Sequence, residues 1–290
     1  MDSDVDLLYR QHLTASDVRL IASATGDPGP GQGGRAGLRG PSELGSVLGH
    51  PDLEAAVFAC NGDDERLIGV SPFLTFAVAV HRTADRLQTT SFVEERLASG
   101  QRLPVFDVGS LRALLAEPQR RYFLVELLGS YTHVSSGATW QRTRRGWRRR
   151  RFSELDLGRL ADLPEAVEPA QRPGVYRRLG DLVLFLTGVF PDHSALLDVG
   201  PVALSRLVRL SGLQREPAGR LNGLELLEEL GRRFYALAVH SARSLGAPST
   251  VGLTVVDEIA QRFPDARRAL NVVTDWYLFP LRGRWLSHGE

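Results

Sequence analysis

The chain has 290 residues, of which 43% are hydrophobic and 24% charged, with a net charge of +1. This is an ordinary globular composition, long enough for one large core or two modest ones, and it indicates neither disorder nor a membrane protein. All 35 basic residues are Arg, and without a Lys amine a Walker A phosphate loop, a pyridoxal phosphate Schiff base and the usual protein-kinase ATP site are disfavoured.

The longest strongly apolar run, residues 182–190, is interrupted by Thr187 and Gly188 and is about half the length of a bilayer span, so no transmembrane segment is expected. The N-terminus is acidic and lacks an apolar secretory stretch, which predicts a cytoplasmic protein. The replacement of Lys by Arg suggests a GC-rich, bacterial genome. The lone Cys60 cannot form an intrachain disulfide or a multi-thiolate zinc site and reads as a buried small hydrophobe.

Residues 5–24 read as one or two short helices, with Ser16 and Asp17 placed to cap the segment from Val18. Residues 26–41 hold seven Gly and three Pro, a flexible loop. Their Gly29-x-Gly31-x-x-Gly34 match is no dinucleotide site, because no strand precedes it and Pro30 interrupts the turn. Pro51 opens a helix through Cys60, residues 61–65 turn, and residues 67–70 are a short strand or extended chain. Ser71-Pro72 begins a helix through Leu87. Asp107 or Ser110 caps a helix over 111–115, and Pro118 starts another whose Tyr122, Phe123, Val125 and Leu128 form an apolar face.

After Gly129 the spacing ceases to be helical, and residues 132–140 favour strand and turn. Residues 142–151 follow with seven Arg in ten positions, between Trp140 and Phe152. Arg144-Arg145-Gly146 reads as a three-residue hairpin loop, with Thr143 opposite Trp147 and Trp140 opposite Arg150. The competing helix is weakened by Gly146. Residues 153–173 then bring Glu154, Asp156, Asp162, Glu165 and Glu168 with three Pro, an expected linker.

From Val175 the helical period is clear: Leu179, Leu182, Val183, Leu186 and Phe190 fall on one face and Pro191 ends the run. Pro201 opens a helix through Leu210. Asn222 with Glu225 forms a capping box for a helix carrying Leu227, Leu230, Phe234 and Leu237 as far as Gly246. Two further helices, 251–263 and 265–279, are divided by Pro264.

The expected fold is mainly α: a helical N-terminal region with a few short strands and an Arg-rich β-hairpin, followed by a C-terminal helical bundle. The domains expected are 1–152, including the loop 26–41 and the hairpin 139–152; an acidic Pro-containing linker, 153–173; and the bundle, 174–290. The stretch from Tyr176 to Pro191, with the later helix around Asn271, resembles a helical domain of uncharacterised bacterial proteins over residues 175–290. That resemblance implies a helical fold and no chemistry.

An Arg-rich ribbon with two Trp has the chemistry to hold an anionic polymer, since Arg forks grip phosphates and an indole stacks on a base. Trp140, Arg142, Arg144, Arg145, Trp147, Arg148, Arg149, Arg150 and Arg151 are therefore the expected binding residues, for nucleic acid first and an acidic protein surface second. The structural alternative is that the five carboxylates downstream fold back and neutralise the run. No HExxH, GxSxG or close His-carboxylate metal spacing occurs, so no cofactor, metal site or catalytic residue is expected on the leading reading. His81 and His133 suit interfaces, and His193 a turn.

Arg233 and His240, seven apart on one helical face, resemble the Arg-x(4 to 6)-His pattern of HEPN ribonucleases, which are small helical bundles. The resemblance would make His240 a general acid or base and Arg233 a phosphate stabiliser. Phe234 departs from the polar residue usual there. Three functions follow: a non-enzymatic cytoplasmic regulator or adaptor binding an anionic partner through Arg142 to Phe152; a structural or assembly protein, possible as a homo-oligomer, using the Arg element as a contact; or that ribonuclease.

Overall fold

The computed structural model describes residues 2–26, 44–58, 70–96, 101–132, 136–143, 146–153, 156–191, 200–214 and 221–280. The architecture is mainly α, with two separate two-stranded antiparallel sheets. The chain divides into two units, one of residues 1–96, 102–130 and 268–290, the other of 97–101 and 131–267. The stretch expected as a linker, 153–173, lies inside the second unit. It holds buried Leu157, Ala161 and Pro164, apolar anchors that an exposed linker lacks.

The first unit begins with α1 (Asp2–His12) and α2 (Ala15–Thr25). The cap of α2 is Thr14 rather than Ser16 or Asp17. Its side chain accepts from the Asp17 backbone N, and Asp17 Oδ2 accepts from the Thr14 backbone at 2.8 Å. The other Asp17 oxygen accepts from the Ser71 backbone N–H at 2.9 Å, so this fully buried carboxylate joins two elements. There follow α3 (Leu44–Leu48), α4 (Pro51–Phe58) and α5 (Pro72–Leu87), whose Ser71 cap and first-turn Pro72 fit a helix start. The sites of the loop 27–41, Cys60, the turn 61–65 and residues 67–69 lie outside the described residues.

Next comes a hairpin the sequence did not signal: β1 (Val93–Arg96) pairs with β2 (Arg102–Val105), Val93 opposite Val105. Its residues Glu94, Glu95, Arg96 and Arg102 carry charge in place of β-branched alternation. Val93, Glu95 and Arg96 are buried, and β-propensity is overridden by their tertiary surroundings. Asp107 caps α6 (Val108–Ala116), and α7 (Pro118–Ser130) buries Phe123, Leu124, Val125, Leu127 and Leu128.

The second unit contains β3 (Ser136–Thr143), β4 (Gly146–Ser153), α8 (Leu157–Leu160), α9 (Leu163–Ala166), a 3-10 turn (Pro169–Gln171), α10 (Arg172–Val189), α11 (Pro201–Leu210), α12 (Gly223–Ser244) and α13 (Val251–Gln261). The Asn222–Glu225 capping box forms as expected. α10 buries more than one stripe: Leu184, Phe185 and Val189 join Leu179, Leu182 and Val183. Its partner is α12, and glycines set their approach. A Cβ on Gly180 would lie 2.6 Å from the Tyr235 ring, and one on Gly231 would lie 2.5 Å from Phe263 Cε2. Tyr235 completes the contact by donating to the buried Asp181 at 2.9 Å.

The last helix, α14 (Phe263–Val273), starts in the second unit and ends in the first. The two helices expected about Pro264 are present, but the division falls two residues earlier, at Arg262. Pro264 sits in the first turn of α14, where its missing N–H costs nothing. α14 runs into a π-helical turn, Thr274–Leu278. In the first unit, Asn271 Oδ1 accepts from the Arg96 backbone N–H at 3.1 Å, and the Arg96 guanidinium lies 3.8 Å from the Phe279 ring centre. These contacts tie β1 to the end of α14. No described helix is long and apolar enough to cross a membrane.

Candidate nucleic-acid interface

Thr139, Trp140 and Thr143 favour extended chain, and the Arg-rich stretch that follows pairs back on them as an antiparallel ribbon of eight residue pairs. The register differs by one residue from the sequence expectation. Thr143 pairs with Gly146, Arg142 with Trp147, Gln141 with Arg148, Trp140 with Arg149 and Thr139 with Arg150. Trp140 is thus opposite Arg149 rather than Arg150, and two residues rather than three join the strands. Of the expected binding residues, Trp140, Arg142, Trp147, Arg148, Arg149, Arg150 and Arg151 are assembled on the ribbon; Arg144 and Arg145 lie outside the described residues.

The downstream carboxylates have work of their own. Asp156 caps α8 by accepting from the Arg159 backbone N at 3.2 Å. Asp162 hydrogen bonds the Arg206 guanidinium, and Glu165 stands 3.9 Å from Arg209 Nη2. Both arginines belong to α11, which packs on α8 so closely that a Cβ on Gly158 would stand 3.1 Å from the Ala203 methyl. Such exposed pairs contribute little stability, but they account for two acids that the sequence offered as neutralisers of the ribbon. Glu168 precedes the 3-10 turn, and Glu154 lies outside the described residues. Arg206 and Arg209 were missed as partners; their i, i+3 spacing was the available signal.

Arg233 and His240 both lie on α12, seven residues apart. Arg233 Nε donates to Glu229 Oε1 at 2.5 Å, and Arg232 grips the same carboxylate with two hydrogen bonds of 2.7 Å. Hydrogen bonding from Arg232 holds the Glu229 carboxyl below its ordinary range, and the same bond raises Arg232. These residues line a cleft of about 630 Å³ with Leu213, Leu221 and Glu225. His240 is exposed and is not among the residues lining it. The cleft's guanidinium groups are balanced by carboxylates, so it offers no excess charge for a phosphate.

The remaining described histidines each have local partners. His81 is buried in α5, its Nε2 shares a hydrogen bond with the Tyr9 hydroxyl at 3.1 Å, and burial pushes it down to about 3. His12 stacks on Phe73, with ring centres 4.6 Å apart, and His50 Nδ1 accepts from the Asp52 backbone. His133 and His193 lie outside the described residues. Among the described residues, no group of three or more His, Cys, Asp or Glu is placed to hold a metal ion. No family model, curated protein or solved structure matches the chain.

Proposed function

We propose that the protein is a cytoplasmic regulator or adaptor that binds a polyanion, nucleic acid foremost, through the β3–β4 ribbon. The observation that supports it is the ribbon itself: two paired strands bring Arg142 and Arg148 to Arg151 together, while Asp156, Asp162 and Glu165 bond to partners in α8 and α11. A concentrated guanidinium array has little to gain from folding apart from an anion, because like charges repel and the Arg fork matches phosphate geometry. The modest overall charge of +1 does not oppose the reading, since a local field is what a phosphate backbone meets.

The test is a titration of labelled duplex and single-stranded oligonucleotides at several salt concentrations. If about four to five phosphates of a duplex are neutralised, log affinity falls with log salt at a slope of roughly −4. Replacing Arg144, Arg145, Arg148, Arg149 and Arg150 by Gln weakens binding and flattens that slope, with the melting temperature little changed. A protein that binds no oligonucleotide at low salt, or whose Gln variant melts far lower, refutes the proposal in favour of an internal charge cluster.

A further inference from the structure

The register sorts the ribbon into two chemically unlike faces. Directly paired positions share a face and successive positions alternate. One face therefore takes positions Thr139, Gln141 and Thr143 of β3 with Arg148 and Arg150 of β4, and Gly137 and Phe152 at the end remote from the turn. The other takes Ala138, Trp140 and Arg142 with Trp147, Arg149 and Arg151. Under the register expected from the sequence, Trp140 would instead have shared a face with Arg148 and Arg150. The one-residue shift separates the Trp140 indole from that pair and places it on the face of Trp147.

The first face consists of residue types that read base edges. An Arg fork matches O6 and N7 of guanine, a Gln amide matches N6 and N7 of adenine, and a Thr methyl meets that of thymine. Gln141 and Arg148 are direct cross-strand partners, and Thr139 and Arg150 are the next pair on the same face. Two pairs at i and i+2 are about 7 Å apart along the strand, or roughly two base-pair steps. The ribbon's form selects the nucleic acid. A two-stranded ribbon fits the B-form major groove, about 12 Å wide, whereas the major groove of A-form RNA is too deep and narrow for side chains to read.

Resting on the polyanion-binding reading above, we infer that the protein reads sequence in the major groove of B-form DNA with the face of Thr139, Gln141, Arg148 and Arg150. Gln141 and Arg148 form its centre and prefer a short element containing adjacent A and G. Arg142, Arg149 and Arg151, on the opposite face, contribute charge without sequence preference.

The experiment enriches bound duplexes from a randomised DNA pool with the full chain, then measures affinity for the enriched duplex and a scrambled one at fixed salt. The expected ratio is roughly tenfold or more, the discrimination of one or two good base contacts. Gln141→Ala and Arg148→Ala each lower that ratio several-fold while scrambled-duplex affinity falls by no more than the loss of one charge. Arg149→Gln weakens both duplexes alike and leaves the ratio unchanged. A wild-type ratio near one, tighter binding to RNA or single strands, or a ratio that follows Arg149 rather than Gln141 and Arg148 overturns the inference while leaving polyanion binding intact. Absence of binding to any nucleic acid overturns both. Thermal melting of each variant separates loss of contact from loss of fold.

Discussion

Replacing Gly231 by Ala sets two opposing effects against each other inside the second unit. An Ala in the middle of a helix is favoured over Gly by about 1 kcal/mol, because the unfolded chain loses less backbone freedom. The added Cβ, however, would stand 2.5 Å from Phe263 Cε2 and 3.0 Å from Val183 Cγ1, where carbon atoms at rest stand about 3.5–4.0 Å apart. The ring has little room to retreat: Phe263 is fully buried and its centre is 5.9 Å from that of Tyr235, whose own ring crowds Gly180. Forcing extra volume into a packed core costs about 1–3 kcal/mol, occasionally more. With the ring confined, the upper part of that range applies, and the net expected loss is about 2 kcal/mol. Gly174→Ala is the control, since nothing lies within 4 Å of its Cβ position in α10; it should be neutral or stabilise by about 0.5 kcal/mol. Urea unfolding followed by circular dichroism reads both: the Gly231→Ala midpoint falls, and the Gly174→Ala midpoint stays or rises. A Gly231→Ala protein as stable as wild type would refute the claim that glycine is needed for the close approach of α12 to Phe263.

Two further outcomes test buried polar groups of the first unit. Burial holds His81 neutral down to about pH 3 against an ordinary value of 6.5, so the unfolded state binds the extra proton between those values. Its stability contribution is complete above about pH 6.5 and is lost as pH falls to 3, on the order of 5 kcal/mol in all; His81→Phe should remove that part of the pH slope, and an unchanged slope would contradict it. Asn271→Ala removes the acceptor of the Arg96 backbone N–H, and leaving that buried donor unmet costs about 1–3 kcal/mol. Amide exchange at Arg96 should accelerate; unaltered exchange would show that another acceptor serves it.

Local signals in the sequence determined most helices. Pro51, Pro72, Pro118 and Pro201 mark true helix starts, and the Asn222–Glu225 box forms as written, because caps and first-turn prolines act within three or four residues. The mainly α class followed from the 3.6-residue period, and the Arg run itself was plain. Only the tertiary structure decided which residues divide the chain into units, since residues 268–290 belong with the first unit through contacts such as Asn271 with Arg96, 175 positions apart. It also decided the hairpin of β1 and β2, whose charged residues find buried partners far along the chain. The ribbon is the sharpest case. Composition announces its chemistry, but with Arg148 to Arg151 running unbroken along β4 and few apolar residues on β3 no hydrophobic alternation specifies a register. The faces of Gln141 and Trp140 are therefore set by how the two backbones pair, which the order of the residues left open.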